Sequence, residues 1–315
     1  MSIKDLKSGD HVDGQAFLIG EVKTCVSNAG KQYFNITLQD SSGKIDGKKW
    51  EISPDDLAIF SPGNIVLVKG EVNLYNNSLQ LKILSGELAS EDMDVSEFVE
   101  QAPQDEKSLK QKLIDYVKSI KDPDLYSLTS SLLKDNSKAY LRYPAATKNH
   151  HAYANGLLYH SVCMADLADS VCKLYPSLNR DLMISGTLLH DLGKIKELTG
   201  LIATQYSTEG KLIGHLVIAA ELIHEKAKEL NLDSEQILLL EHMLISHHGK
   251  LEFGAAKLPE TQEALALAMI DDFDAKMEML RIAYENVAPG EWTGRINALD
   301  GRMFYNSFFT NKNEK

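Results

Sequence analysis

The sequence predicts a two-domain protein in which a small all-β barrel precedes an all-α domain. Its 315 residues exceed the length of a typical single domain. Apolar residues alternate with polar ones, as in strands, up to about residue 90, and from about residue 107 they recur with the period of a helix. The intervening residues, 91–106, contain seven acids and no base. We therefore expect domains at 1–90 and 107–315, joined by an acidic linker at 91–106.

Short strands separated by turn residues account for the first domain. Turn-forming Gly, Asn and Ser cluster at 27–32, 41–47 and 74–78. About five strands in fewer than 90 residues, with no long helix, predict a small barrel, and their order and spacing resemble the OB-fold. The predicted strands are AFLIGEVKTCV, YFNITLQD, KKWEI, NIVLVKGEV and LQLKIL.

Seven helical segments account for the second domain. Each places apolar residues at i, i+3, i+4 and i+7, and none of the segments suggests a strand. The segments are SLKQKLIDYVKSI, LYSLTSSLLKD, GLLYHSVCMADLADSVCKLY, DLMISGTLLHDLGK, GHLVIAAELIHEKAKEL, SEQILLLEHMLISHH and PETQEALALAMIDDFDAKMEMLRIAYEN.

Charge and composition exclude several classes of protein. The net charge of −12 excludes a generally basic nucleic-acid coat. Most of the acidity lies in 91–106, however, and the two domains carry net charges of only −2 and −3, so an anionic substrate stays compatible. No apolar run is long enough to span a bilayer, which argues against a membrane partner. Three cysteines without a CxxC pair and an N-terminus unlike a signal peptide predict a cytoplasmic protein.

Histidines are concentrated in the helical domain. Nine of the ten lie between residues 150 and 248, and five of those interrupt apolar helical segments. A single histidine on an apolar face is most often a hydrogen-bonded core residue. Burying five without partners would cost about 1–3 kcal/mol each, whereas a shared metal centre would satisfy them together. The five are His160, His190, His215, His247 and His248.

Acidic residues in two helical segments complete a candidate ligand set. Asp191 follows His190 directly, and a carboxylate with two oxygens can bridge two cations. Asp271 and Asp274 share one helix face, whereas Asp272 points elsewhere. A solvent-facing acidic strip is the alternative interpretation of this second cluster. Imidazole and carboxylate ligands together suit manganese, iron, zinc or nickel.

The order of these residues resembles that of the HD phosphohydrolase superfamily, whose members are all-α and hold one or two metal ions. The segment HDLGK at 190–194 carries the resemblance, and the intervals between successive ligands are 30, 25, 32 and 24 residues. The resemblance implies a first metal held by His160, His190, Asp191 and Asp271, and a second held by Asp191, His215 and His247, with His248 as an additional ligand. Asp191 would bridge two divalent metal ions. Manganese is favoured, with iron, magnesium and zinc as alternatives.

A barrel followed by an HD domain narrows the resemblance to the YhaM-type 3′→5′ exoribonucleases. The matching segments are HHAYANGLLYHSV, LLHDLGKI, GHL, ISHHGKLEFGA and AMIDDFDAKM. The resemblance implies that single-stranded RNA is hydrolysed from its 3′ end to nucleoside 5′-monophosphates, with single-stranded DNA as a further substrate. Asp191 would position a metal-activated hydroxide, and Lys194 would face the substrate phosphate.

Aromatic and basic residues of the barrel are candidates for binding RNA. Bases stack on aromatic rings, and lysines attract the backbone. Tyr33 and Phe34 point to opposite faces of their strand, and we expect Tyr33 to be the exposed one; core packing of all the aromatic residues is the alternative. The barrel candidates are Tyr33, Phe34, Trp50 and Tyr75, with Lys31, Lys44, Lys48 and Lys49. Arg142, Lys148 and the pair His150-His151 precede the first ligand helix and are further candidates for contacting the substrate.

Two other functions are compatible with part of this pattern. An HD nucleotidase or cyclic-dinucleotide phosphodiesterase would use the same metals but would not need the barrel. A non-catalytic single-strand-binding protein would use the barrel but would not need the full ligand set. The apolar segment MFYNSFF at 303–309 suggests a homo-oligomer interface or a docked tail.

Overall fold

The protein divides into two compact units. The computed structural model describes residues 2–27, 29–75, 78–90, 92–93, 95–146, 151, 153–200, 204–285 and 287–308. The first unit comprises the described residues within 1–101 and 199–205, and the second comprises those within 102–198 and 206–315.

The first unit is a closed five-stranded barrel, as predicted. Its strand order is β1-β2-β3-β5-β4, with β3 and β5 parallel and the other neighbours antiparallel. A short helix, α1 (Asp56–Ile59), lies between β3 and β4. This is the OB-fold arrangement, and the alternating side chains of the strands fill the interior. The strands are β1 (His11–Val26), β2 (Gln32–Asp40), β3 (Gly43–Trp50), β4 (Ile65–Tyr75) and β5 (Ser78–Leu88).

The first strand closes the barrel because it pairs with two other strands. Its first half pairs with β4 and its second half with β2. The register against β4 shifts between Asp13 and Gln15, where Gly14 has a φ of +75°. Glycine adopts this conformation without steric cost, and such a bulge lets a long strand bend around a small barrel.

The acidic segment that we predicted as a linker is divided in the structure. A 3₁₀ helix at Val95–Phe98 packs against β1 and β2, and the Gln39 side chain donates a hydrogen bond to the carbonyl oxygen of Phe98. Val99 is buried. Farther on, Asp105 accepts a hydrogen bond from the backbone N–H of Ser108 and so begins the first long helix.

The second unit is helical over its described residues, as predicted, apart from isolated bridges. Helix α5 lies at its centre and packs against α2, α6 and α11 around one apolar core. The helices are α2 (Glu106–Ser119), α3 (Pro123–Asp135), α4 (Ser137–Tyr140), α5 (Gly156–Leu174), α6 (Arg180–Leu189), α7 (Lys194–Glu197), α8 (Thr208–Leu212), α9 (His215–Glu229), α10 (Glu235–Ser246) and α11 (Gln262–Tyr284). Within the described part of the chain, no helix combines the length and apolarity needed to cross a bilayer.

Candidate metal centre and nucleic-acid surface

The histidines and aspartates of the predicted ligand set converge in the helical unit. His160 and Asp271 lie within long helices, whereas the other ligands lie at helix ends. His190-Asp191 follows α6, His215 begins α9, and His247-His248 follows α10. Their imidazoles and carboxylates are buried or half-buried, so five helices place polar atoms around one interior region.

Asp191 lies between two groups of imidazoles. The Nε2 atoms of His160 and His190 are 3.8 and 3.3 Å from its Oδ2 atom. The Nε2 atoms of His215 and His247 are 3.4 and 3.8 Å from its Oδ1 atom. Each oxygen of one carboxylate therefore faces its own pair of nitrogens, as a carboxylate that bridges two cations requires.

The first group includes a second carboxylate. The Oδ1 atom of Asp271 lies 3.2 Å from His160 Nε2 and 4.0 Å from His190 Nε2. The two imidazole nitrogens are themselves 3.2 Å apart. These donors and Asp191 Oδ2 can share a single cation after small side-chain adjustments.

The second group contains buried polar atoms that make no hydrogen bond to the described residues. Among the described residues, Asp191 Oδ1, His215 Nε2 and His247 Nε2 are buried without a hydrogen bond. The imidazoles of His215, His247 and His248 offer nitrogens that lie within 4.8 Å of one another. Unsatisfied buried groups are costly, and a divalent cation bound among them would remove that cost. The donor set therefore fits a metal ion.

Two of the imidazoles are oriented by the helices that they follow. His190 Nδ1 donates to the carbonyl oxygen of Thr187 at 2.9 Å, and His247 Nδ1 donates to that of Leu244 at 2.7 Å. The final carbonyls of a helix lack intrahelical partners, so a histidine three residues later satisfies one of them. Because the proton is then held on Nδ1, the lone pair of Nε2 faces the centre.

The turn after His190-Asp191 brings Lys194 back to the same carboxylate. Its Nζ atom lies 2.7 Å from Asp191 Oδ2. Only a glycine fits at position 193, because a Cβ atom there would lie 2.1 Å from the carbonyl oxygen of His215. The glycine of HDLGK thus lets the start of α9 approach the turn, and both ends of the motif reach Asp191.

Electrostatic interactions keep the carboxylates ionised. Burial alone would raise the pKa of Asp191, but Lys194 and His190 hold it well below its usual range. Asp271 likewise has a lowered pKa despite its burial, chiefly through its hydrogen bond with His160. Burial alone would lower the pKa of His160, whereas hydrogen bonds with Asp271 and Asp274 raise it to about 10. A cation binding at His160 would therefore displace a proton.

Two carboxylates outside the predicted ligand set contact its imidazoles. Asp274 Oδ2 lies 2.7 Å from His160 Nδ1, and Glu197 Oε1 lies 2.9 Å from His215 Nδ1. The sequence indicated Asp274 as a candidate, because it lies on the same helix face as Asp271. The sequence did not indicate Glu197, because its role depends on the fold of α7 against α9.

The structure corrects one predicted substrate contact near the centre. His151 is 1% exposed, and its Nε2 atom lies 2.8 Å from Asp274 Oδ2. A side chain so enclosed is not available to a nucleic-acid strand, so we remove it from the candidate contacts. Arg142 is exposed, as a phosphate contact requires. Lys148 and His150 lie outside the described residues.

The barrel carries a cluster of aromatic side chains that reaches solvent. Tyr33 and Trp50 are cross-strand partners on β2 and β3, and their rings stack with centroids 4.4 Å apart. Lys48 Nζ lies 5.5 Å from the Tyr33 ring centroid and 5.1 Å from that of Tyr75. Trp50 and Tyr75 are exposed and Tyr33 is half-buried. We name these four residues the barrel face.

Two other barrel candidates are buried. Phe34 is 2% exposed and lies in the barrel core, which confirms that Tyr33 is the outward member of the pair. Lys49 is 8% exposed; its Nζ atom donates to the Trp50 carbonyl oxygen and lies 3.5 Å from Asp56. Both residues are therefore corrected to structural roles. Lys31 and Lys44 are exposed.

Fold and centre together define the class of protein. A family model of the HD domain matches residues 157–276, and a model of the OB-fold nucleic acid binding domain matches residues 17–89. The protein thus joins an OB-fold to an HD domain, and the residues converging on Asp191 lie within the HD match.

Whole-chain relatives give the family. A 3′-5′ exoribonuclease YhaM of a Geobacillus species is 43% identical over 304 residues, which cover 96% of this chain and 94% of the relative. YhaM of Bacillus subtilis is 41% identical over 303 residues, covering 96% of each chain. The chain belongs to the YhaM family of 3′-5′ exoribonucleases.

A solved structure resembles the barrel only weakly. It is the second OB-fold domain of replication protein A from Methanococcus maripaludis, with a TM-score of 0.23, 19% identity, and coverage of 30% of this chain and 98% of that chain. The barrel assignment rests on the strand order and on the family model.

Proposed function

We propose that this protein is a metal-dependent 3′→5′ exoribonuclease that degrades single-stranded RNA to nucleoside 5′-monophosphates. The observation that carries the proposal is the position of Asp191, whose two oxygens face separate groups of imidazoles. This is the arrangement expected of a dinuclear phosphohydrolase centre. Identity above 40% to exoribonucleases over nearly the whole chain supports the same activity.

The residues divide between two metal positions that share Asp191. His160, His190 and Asp271 would hold the first cation, and His215, His247 and His248 the second. Divalent cations at these positions would lower the pKa of a coordinated water toward about 7 and neutralise charge on the phosphate. Lys194 adds a positive charge beside Asp191, where it would stabilise the anionic phosphorane-like transition state.

The barrel face would capture the strand that the helical centre cleaves. Bases can stack on Trp50 and Tyr75, while Lys48 attracts the backbone. Stacking is tolerant of base identity and of sugar type, so the same surface would accept single-stranded DNA. Arg142 is a further exposed cation for a backbone phosphate.

Manganese is the cation that we propose for both positions. Histidine nitrogens with carboxylate oxygens suit a transition metal better than magnesium, and iron and zinc are the competitors. We also propose a cytoplasmic location, because Cys25, Cys163 and Cys172 are free thiols and the substrate is RNA.

A time course on RNA labelled at the 5′ end tests the activity and its direction together. We expect a ladder that shortens from the 3′ end with Mn²⁺, no cleavage with EDTA, and release of 5′-monophosphates. A mononucleotide and cyclic-dinucleotide panel run in parallel separates the exonuclease from a small-substrate phosphodiesterase. Turnover of the panel but not of RNA would refute the proposal.

We further propose that the protein self-associates through the outer face of α11. Leu265, Met269, Phe273 and Met277 follow one another at four-residue intervals on that face, and each is about half exposed or more. The opposite face packs in the core, so the helix is apolar on both sides. Helices pack most often through ridges of side chains spaced four residues apart. The same ridge on a second copy of the chain would therefore be a matching partner.

The oligomeric state in solution tests this interface. We expect sedimentation of wild-type protein as an oligomer, and of the Met269→Glu/Phe273→Glu variant as a smaller species. Met303, Tyr305 and Phe308 are also exposed, whereas Phe309 lies outside the described residues. A Met303→Glu control separates the two apolar surfaces. Monomeric wild-type protein would contradict the proposal.

A further inference from the structure

We propose that Asp274 and Glu197 are positioning residues, each of which orients one imidazole at one of the two metal positions. The inference rests on the proposed metal centre. It concerns the side chains that accept hydrogen bonds from the ligating histidines rather than the ligands themselves. Asp274 would serve His160 at the first position, and Glu197 would serve His215 at the second.

Asp274 holds two imidazoles with one oxygen. His160 Nδ1 lies 2.7 Å and His151 Nε2 lies 2.8 Å from its Oδ2 atom. Since an ionised carboxylate can only accept, both nitrogens donate to it. The proton on His160 is thereby fixed at Nδ1, and Nε2 is the atom presented to Asp271 and Asp191.

Asp274 is itself held in place by a series of hydrogen-bonded side chains. The His151 Nδ1 atom lies 2.9 Å from the Tyr153 hydroxyl, which donates to Glu278 Oε1 at 2.9 Å. Glu278 accepts two hydrogen bonds from Arg281, at 2.7 and 2.8 Å. Asp274 and Glu278 are four residues apart on α11, so one helix face supplies both carboxylates. Linked partners of this kind restrict the rotamers open to His151 and Asp274.

Glu197 orients His215 by two bonds at once. Its Oε1 atom accepts from the backbone N–H of His215 at 3.1 Å and from Nδ1 at 2.9 Å. His215 is the first residue of the 15-residue helix α9, whose N-terminal N–H groups lack intrahelical partners and attract negative charge. One carboxylate thus caps the helix and fixes the imidazole, and Nε2 is left facing Asp191.

The backbone orients the other imidazoles of the ligand set. His190, His247 and His248 donate to backbone carbonyls, which are neutral and cannot be changed by substitution. A carboxylate acceptor makes an imidazole more basic and adds negative charge near the cation. Each metal position therefore has a single imidazole supported by a charged side chain, and its remaining imidazoles are supported by the backbone. Only the support from a carboxylate side chain can be weakened by substitution without altering a ligand.

Mn²⁺ titration of full-length, metal-free protein tests the inference. We expect wild-type protein to bind two Mn²⁺ ions, measured by calorimetry and by electron paramagnetic resonance. Asp274→Asn keeps the acceptor but removes the charge, and should weaken one binding step by about 10–100-fold while sparing the other. Glu197→Gln should weaken the step that Asp274→Asn spares. Asp272→Asn is the matched control, because Asp272 lies on the same helix but is exposed and paired with Lys276.

A second variant keeps the inference testable if Asp274→Asn folds poorly. His151→Gln leaves Asp274 in place and removes one of its two donors, so a smaller loss at the same binding step is expected. Thermal unfolding of the metal-free proteins reports any general destabilisation.

Three results would overturn the assignment. They are wild-type affinities at both steps in both variants, equal weakening of both steps by each variant, and complete loss of one Mn²⁺ ion in Asp274→Asn, which would make Asp274 a ligand. If the variants behave as expected but wild-type protein leaves RNA intact, the proposed function fails and the positioning roles stand.

Discussion

The barrel face and the metal centre are both clusters of polar or aromatic residues, but they are built in opposite ways. On the barrel, Trp50 and Tyr75 are exposed to solvent, and the Lys48 ammonium lies over the Tyr75 ring. In the centre, Asp191 and His190 are buried, and each lies within 4 Å of other ligands of the set. Strand neighbours create the first cluster, whereas helices far apart in sequence create the second. We therefore expect single substitutions in the centre to lower activity strongly, and single substitutions on the barrel face to lower RNA affinity modestly.

The largest effect should come from Asp191, the residue that the two proposed metal positions share. Asp191→Asn removes the charge between the two groups of imidazoles, and Asp191→Ala also leaves Lys194 without its partner. We expect hydrolysis of RNA to fall by more than about 10³-fold, beyond the effect of losing a single stabilising group. Binding of single-stranded RNA, measured by fluorescence anisotropy, should persist because the barrel face is untouched. Wild-type turnover in either variant would disprove the bridging role.

Lys194 tests whether the charge beside Asp191 acts on the substrate. Lys194→Met keeps the length of the side chain and removes its ammonium group, so kcat should fall by about 10²-fold with little change in KM. Lys196→Met is the matched control, since Lys196 belongs to the same short helix and is exposed. An equal loss in both variants would indicate a defect of the helix rather than of the reaction.

The two regions also differ in how far the sequence predicts them. Alternation on β2 predicts that Phe34 is buried and Tyr33 outward, and the order of histidines predicts which side chains meet at Asp191. Neither pattern predicts the partners of the Nδ1 atoms. Glu197 reaches His215 where Gly193 lets the start of α9 pack closely against the preceding turn.

Burial of hydrophilic side chains was equally hidden from the sequence. His151 follows a segment with no helical periodicity, yet it is buried and contacts the Asp274 carboxylate, 123 residues later in the sequence. Lys49 alternates correctly for an inward position, but its charge suggested a surface until the structure showed Asp56 beside it. Pairs that form only when separate elements pack together leave no trace in local periodicity, whereas the order of the metal ligands along the chain is visible in the sequence.

A smaller effect is expected on the barrel, and the two tryptophans of the chain provide a matched pair. Trp50→Ala removes the ring stacked on Tyr33. Affinity for long single-stranded RNA should drop between about 5-fold and 150-fold, the range for one stacked base. Trp292→Ala removes an equally large exposed side chain from the helical unit and should leave affinity unchanged. Cleavage of short oligonucleotides should change little in either variant, and an equal loss on short and long RNA would remove the barrel from substrate capture.

The smallest effect should be visible only in the salt dependence of binding. Lys48 has its ammonium over two aromatic rings, 5.5 and 5.1 Å from their centroids, where a phosphate between stacked bases can reach it. Lys48→Ala should therefore lower the slope of log K against log salt by about 0.7, the value for one phosphate contact on a single strand. Lys69→Ala is the control, because Lys69 is on the same barrel but pairs with Asp13 at 3.0 Å. A change in affinity without a change in slope would mean that Lys48 supports the rings rather than the backbone, and the barrel face would then act by stacking alone.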